Sequence, residues 1–196
     1  MKKLLLVFIL GALIIFIAGC SEDKENSEDK GNKTNPSQVV DNGNVESSEE
    51  EDKKKIYQIG ETAVITSDMY EFDYEVTVNN FELTREFDGV KLEEFLLNAQ
   101  DVQRFAIVEV TIKNISDRTY IPNDMFSANF SGIDEESGQT SYDEFFTVGD
   151  EELAPGDEIS GHLVYITSVD YADTFLVKYE VMSEEETQFE LPNPEM

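Results

Sequence analysis

Three kinds of side chain in this sequence carry reactive or ligating chemistry: one thiol, one imidazole and a surplus of carboxylates. The thiol is Cys20, the imidazole is His162, and 43 acidic residues stand against 14 Lys and Arg. His162 lies in Ser160-Gly161-His162-Leu163-Val164-Tyr165, where period-two alternation sets it on one strand face with Val164 and Ile166. A lone histidine there reads as structural, and no second His or nearby Cys completes a zinc set. No Gly-x-Ser-x-Gly elbow occurs, so no catalytic residues are expected and the domain reads as noncatalytic, with a surface hydrolase as the last alternative because residue types alone leave a Ser-His-Asp set open. The clusters Asp134-Glu135-Glu136, Asp143-Glu144, Asp150-Glu151-Glu152 and Glu184-Glu185-Glu186 offer hard oxygen ligands of the kind calcium takes. None has the spaced acidic loop with a central Gly and a distal Glu, and charge runs of this kind read as solvated loops. No metal or cofactor is expected, with a calcium-dependent module as the alternative. Carboxylate pairs for glycoside hydrolysis can be drawn from such a surplus at will, so they identify nothing.

Cys20 has the more specific surroundings. Met1-Lys2-Lys3 is a short basic start and the 14 residues from Leu4 to Ile17 form an apolar run, which is signal-peptide anatomy. A spanning helix needs about 20 apolar residues, and after Cys20 the chain turns at once to Ser21-Glu22-Asp23-Lys24. Small residues before the cut admit a peptidase, and a cysteine at the first mature position supplies the nucleophile for diacylglycerol transfer. Ile17-Ala18-Gly19-Cys20 therefore resembles the lipobox of bacterial lipoproteins, with residues 1–19 as signal peptide and Cys20 as the lipidated residue. The alternative is an uncleaved N-terminal anchor with an incidental cysteine. At about 0.8 kcal/mol per buried CH₂ one acyl chain holds weakly, whereas the two of a diacylglyceryl group hold stably. The expected location is the extracellular face of the cell membrane.

Removal of residues 1–19 leaves 12 basic and 43 acidic residues, a net of −31. Such a chain does not bind nucleic acid, whose phosphates need a basic surface. It does not meet anionic lipid head groups through its folded part either. With Cys20 consumed by lipid there is no disulfide, and the fold must stand on its core. The 13 Phe and 8 Tyr that supply that core lie almost entirely after residue 56.

Positioning therefore falls to the elements after that point. Residues 20–55 form a polar, acidic segment without an aromatic, which cannot bury enough apolar surface to offset its ordering entropy and reads as a disordered tether. Its r.m.s. span is roughly 30–35 Å. From Ile56 the pattern is β. Ala63-Val64-Ile65-Thr66 is a short strand, and Tyr70, Phe72, Tyr74, Val76 and Val78 alternate with polar residues until Asn79-Asn80 shifts the phase, as a bulge or a strand break would. Arg104 to Asn114, Phe126 to Phe130, Tyr142 to Val148, Ile159 to Thr167, Phe175 to Val181 and Phe189-Leu191 continue the series, with Tyr120-Ile121-Pro122 as an edge piece. Between them Leu92, Phe95, Leu96, Ala99 and Val102 fall at helical spacing and predict one amphipathic helix over 90–102. The expected domain, 56–196, is an all-β, antiparallel immunoglobulin-like β-sandwich with one inserted short helix.

The run Arg104 to Asn114, the turn Leu153-Ala154-Pro155-Gly156-Asp157 and the strand Ser160 to Tyr165 resemble the telokin-like, immunoglobulin-fold domain of unknown function found on Gram-positive lipoproteins. That fold is similar to a secreted mycobacterial immunoprotective antigen. The resemblance implies a noncatalytic extracellular sandwich and carries over no site residues. Asn114-Ile115-Ser116 and Asn129-Phe130-Ser131 match glycosylation sequons by chance in a bacterial setting. The functional expectation is a lipid-anchored surface domain that binds a protein or cell-wall partner or serves a structural role. A protein partner would be basic, with affinity falling as salt rises.

Overall fold

The computed structural model of the chain describes residues 55–196, so the segment with Ile17, Ala18, Gly19 and Cys20 and the tether up to residue 54 lie outside it. The strands are β1 (Ile56–Gln58), β2 (Thr62–Thr66), β3 (Asp73–Thr84), β4 (Glu86–Phe87), β5 (Val90–Lys91), β6 (Gln103–Asn114), β7 (Asn129–Gly132), β8 (Gln139–Thr140), β9 (Glu158–Ser168), β10 (Thr174–Tyr179) and β11 (Thr187–Pro192). Two single helical turns, α1 (Leu92–Phe95) and α2 (Pro122–Met125), and two 3₁₀ turns, Asp143–Phe145 and Thr147–Asp150, complete the set.

Alternation does what it predicts. In β3 Tyr74, Val76 and Val78 are buried, Asn79 and Asn80 are both exposed, and Phe81 is buried again. The register against β6 slips between Val78 and Asn80, so the bulge keeps the apolar face inward on both sides of the break. One sheet runs β2-β3-β6-β9 and the other β1-β11-β10-β7-β8, with a separate β4-β5 hairpin. The chain crosses between sheets from β6 to β7, back from β8 to β9 alongside β6, and again to β10, which lies between β7 and β11. That is an immunoglobulin-like arrangement. β1 closes an edge by pairing parallel to β11.

The inserted helix is far shorter than the spacing predicts. Asp88 and Gly89, both with positive φ, turn the β4-β5 hairpin, and α1 then lasts only from Leu92 to Phe95. Arg85 explains the rest: its guanidinium donates to the carbonyls of Gln100, Asp101 and Gln103, which hold that stretch as a loop, and it pairs with Glu93. Leu92, Phe95, Leu96 and Ala99 nevertheless pack together on the outer face of the β2-β3-β6-β9 sheet, against Phe105, Ile107 and Val164. Leu97 points to solvent.

The strand expected from Tyr142 to Val148 is replaced by the two 3₁₀ turns. They run along the β9 edge, where Tyr142 N–H donates to Val164 O at 2.9 Å. Phe146 enters the core between the sheets while its neighbour Phe145 joins the outer cluster. Tyr120 makes one isolated bridge, to Leu153, and Pro122 starts α2 instead of ending an edge strand.

Candidate binding cleft

Three segments distant in sequence meet at one end of the sandwich: the start of β6 at Gln103, the stretch from Phe130 and Ser131 of β7 through the turn to Gln139 of β8, and the end of β9 with the turn after it. They line a cleft of about 510 Å³. The β7-β8 turn is held by one carboxylate. Gly132 N–H donates to Glu135 Oε2 at 2.7 Å, and the Tyr171 hydroxyl donates to Glu135 Oε1. The buried Lys178 ammonium donates to the Glu135 carbonyl and pins the turn to β10 from below. The Tyr171 hydroxyl, and next the Gly132 amide, hold the Glu135 carboxyl below the usual carboxylate range, and the same bond raises the Tyr171 phenol.

The ring of Tyr171 is 55% exposed and lies almost parallel to Phe175, with centroids 6.5 Å apart. Gln139 Nε2 donates to Ile166 O at 2.9 Å, which fixes the amide across the cleft wall. Ser131 is 2% exposed, and its hydroxyl has no hydrogen-bond partner. A buried hydroxyl left so costs about 1–3 kcal/mol unless something completes it. The cleft thus presents hydroxyls, amides and one exposed aromatic face, and its single carboxylate is already engaged. In a chain of net charge −29 this is a nearly uncharged surface. It contains no imidazole and no thiol.

The residues singled out by type lie elsewhere. His162 sits opposite Glu109 in the β6-β9 ladder, and its ring meets Phe87 edge-on at 5.1 Å on the outer face, next to the cluster with Val164 and Ile166. Among the described residues no three of His, Cys, Asp and Glu come together as a group that could hold a metal ion. Asp150 accepts from Asn123 Nδ2 at 2.9 Å, and Glu186 accepts from Met182 N–H and Gln188 Nε2. The first sequon residue, Asn114, is fully buried. Neither residue type nor spacing in the sequence points to Tyr171 and Ser131. The one available signal was an aromatic residue isolated in the polar turn Asp170-Tyr171-Ala172-Asp173.

Residues 57–187 match the family described as a domain of unknown function, DUF4352. No curated protein matches the chain. Similar solved structures include a candidate lipoprotein, ycdA, of Bacillus subtilis (14% identity, TM-score 0.46, covering 66% of this chain and 38% of that one). Others are an uncharacterized β-sandwich protein of Clostridium difficile (19%, 0.43, 72% and 97%) and a conserved hypothetical protein of Bacillus anthracis (17%, 0.41, 64% and 96%). The chain therefore spans well under half the length of the Bacillus subtilis protein.

Proposed function

Since the chain belongs to the DUF4352 family, a domain of unknown function, we propose from its own cleft and leader that it is a noncatalytic, lipid-anchored binding module on the outer face of a Gram-positive cell membrane. The leader supports the anchor through the thiol of Cys20, set after Ile17-Ala18-Gly19. The observation that carries the binding role is the cleft under the exposed ring of Tyr171, whose lining of hydroxyls and amides carries a single, already engaged carboxylate, Glu135. Of the two partners that a surface domain of this kind meets, a cell-wall polymer fits that lining better than a protein. Amides and hydroxyls exchange hydrogen bonds with a polyhydroxylated ring, and an aromatic face packs against its C–H side.

The test uses the full-length chain in two arms. Cys20→Ala should abolish palmitate labelling and partition into detergent, and unchanged partition would refute the anchor. Sedimentation with purified, delipidated cell wall should show saturable binding that Tyr171→Ala weakens about five- to tenfold. No soluble sugar should be released. Binding that ignores Tyr171 but falls steeply with salt would replace the polymer with a basic protein partner.

A further inference from the structure

A second cavity, of about 210 Å³, lies between the sheets on the side covered by the 3₁₀ turns, and shares no lining residue with the cleft. Its walls are mixed: Ile112 of β6, Leu163 of β9, Phe126 after α2 and Phe146 from the 3₁₀ segment are apolar, and Asn123, Ser127, Thr140 and Ser141 are polar. Tyr179 of β10 and Asp143 also line it. Tyr179 is 1% exposed and its hydroxyl makes no hydrogen bond, whereas the equally buried Tyr165 hydroxyl is satisfied by the Ala128 carbonyl at 3.0 Å. Burial drives the Tyr179 phenol well above its usual range, so near neutral pH it is a donor in want of an acceptor. An unpaired donor in a core is destabilising unless a guest completes it.

Size and charge narrow the guest. By size alone, a cavity of about 150 Å³ takes benzene, so this one, of about 210 Å³, has room for a single ring with a short polar substituent that its mixed lining can meet. An anionic head group is disfavoured by Asp143 and by the chain's charge of −29. We propose that the cavity binds a small neutral molecule, one ring or a short aliphatic chain bearing a carbonyl-type acceptor, which receives the hydrogen bond of the Tyr179 hydroxyl. The site is independent of the cleft, and its failure would leave the wall-binding reading untouched.

The experiment is an NMR titration of the full-length chain with three probes: acetophenone, its hydrocarbon isostere α-methylstyrene, and benzoate. Acetophenone should shift the methyl resonances of Ile112 and Leu163 saturably at millimolar concentration, while benzoate should not. Tyr179→Phe should weaken acetophenone about three- to tenfold and leave α-methylstyrene unchanged. Leu163→Phe, which fills the cavity, should abolish both; if that variant does not fold, Tyr179→Phe, which loses a single oxygen, still decides. Absence of saturable shifts would overturn the proposal, as would benzoate binding as tightly as acetophenone. An acetophenone affinity untouched by Tyr179→Phe would also overturn it, because the hydroxyl would then serve a buried water.

Discussion

Asn114 shows why a strand that ends in asparagine is followed, forty residues later, by a Pro-Gly turn. Its side-chain amide donates to the carbonyls of Arg118 and Leu153, both at 2.8 Å, and its Oδ1 accepts from the backbone and hydroxyl of Ser116. Its backbone meanwhile pairs with Gly156 and Asp157. One buried residue thus ties the end of β6 to the turn before β9, which accounts for the two motifs occurring together. Asn114→Leu keeps the volume and removes every one of the side-chain bonds. It should destabilise the domain by about 2–3 kcal/mol, the consequence of orphaned buried partners, and lower the melting temperature by roughly 5–10 °C. Urea unfolding checks this, and a loss below about 0.5 kcal/mol, the low end for one ordinary hydrogen bond, would show that the backbone pairs alone hold the turn. The same burial takes the sequon out of any surface role.

The 3₁₀ segment over the β9 edge depends on a missing side chain. Gly161 faces the Phe146 ring, and a Cβ there would come within 2.6 Å of Cε2. Gly161→Ala should therefore cost about 1–3 kcal/mol by overpacking. In a Phe146→Leu background, where the ring is gone and only the 3.0 Å approach to Val148 Cγ1 remains, the same substitution should cost clearly less, and a double-mutant cycle in thermal or urea unfolding reads the coupling. Additive losses would mean that the ring is not what the glycine makes room for. This edge was not legible as an element, because Tyr142 to Val148 carries the apolar residues of a strand and nothing local says that Phe145 and Phe146 serve two different clusters. The inserted helix was legible in its facing and not in its length. The spacing of Leu92, Phe95, Leu96 and Ala99 correctly places them on one surface, but the Arg85 guanidinium, a long-range partner, holds the carbonyls at 100, 101 and 103 in a loop. At Asn79-Asn80 the phase change in alternation was legible, while whether a bulge or a strand break produced it was not; the continuous ladder of β3 against β6 shows the bulge.

Across the whole molecule, what could be read in advance was what is written locally or by composition. The sandwich follows from alternation repeated strand after strand, whereas the cleft joins Gln103, Ser131, Gln139 and Tyr171 from separate segments, and none of these types announces chemistry alone. Charge is the one global property that sequence states outright. From Ile56 onward there are 32 acidic and 6 basic residues, a net of −26, and such a surface repels itself in the compact state. Screening reaches about 30 Å at 0.01 M salt and shrinks to about 3 Å at 1 M, so the melting temperature at pH 7 should climb steadily as sodium chloride is raised over that range. Acid acts in the opposite sense at one place. Glu135 is held below its ordinary value of 4.5 when folded, so its contribution is complete above that value and disappears as pH falls through the lowered one. Below pH 4.5 the bond from Tyr171 should open and the β7-β8 turn loosen, with faster hydrogen exchange at Gly132 N–H. Glu135→Gln should show that faster exchange already at pH 7 and little further change with acid. Equal acid sensitivity in the variant would place the titrating group elsewhere, and a melting temperature flat in salt would mean that the acidic loops are too well spaced for their repulsion to matter.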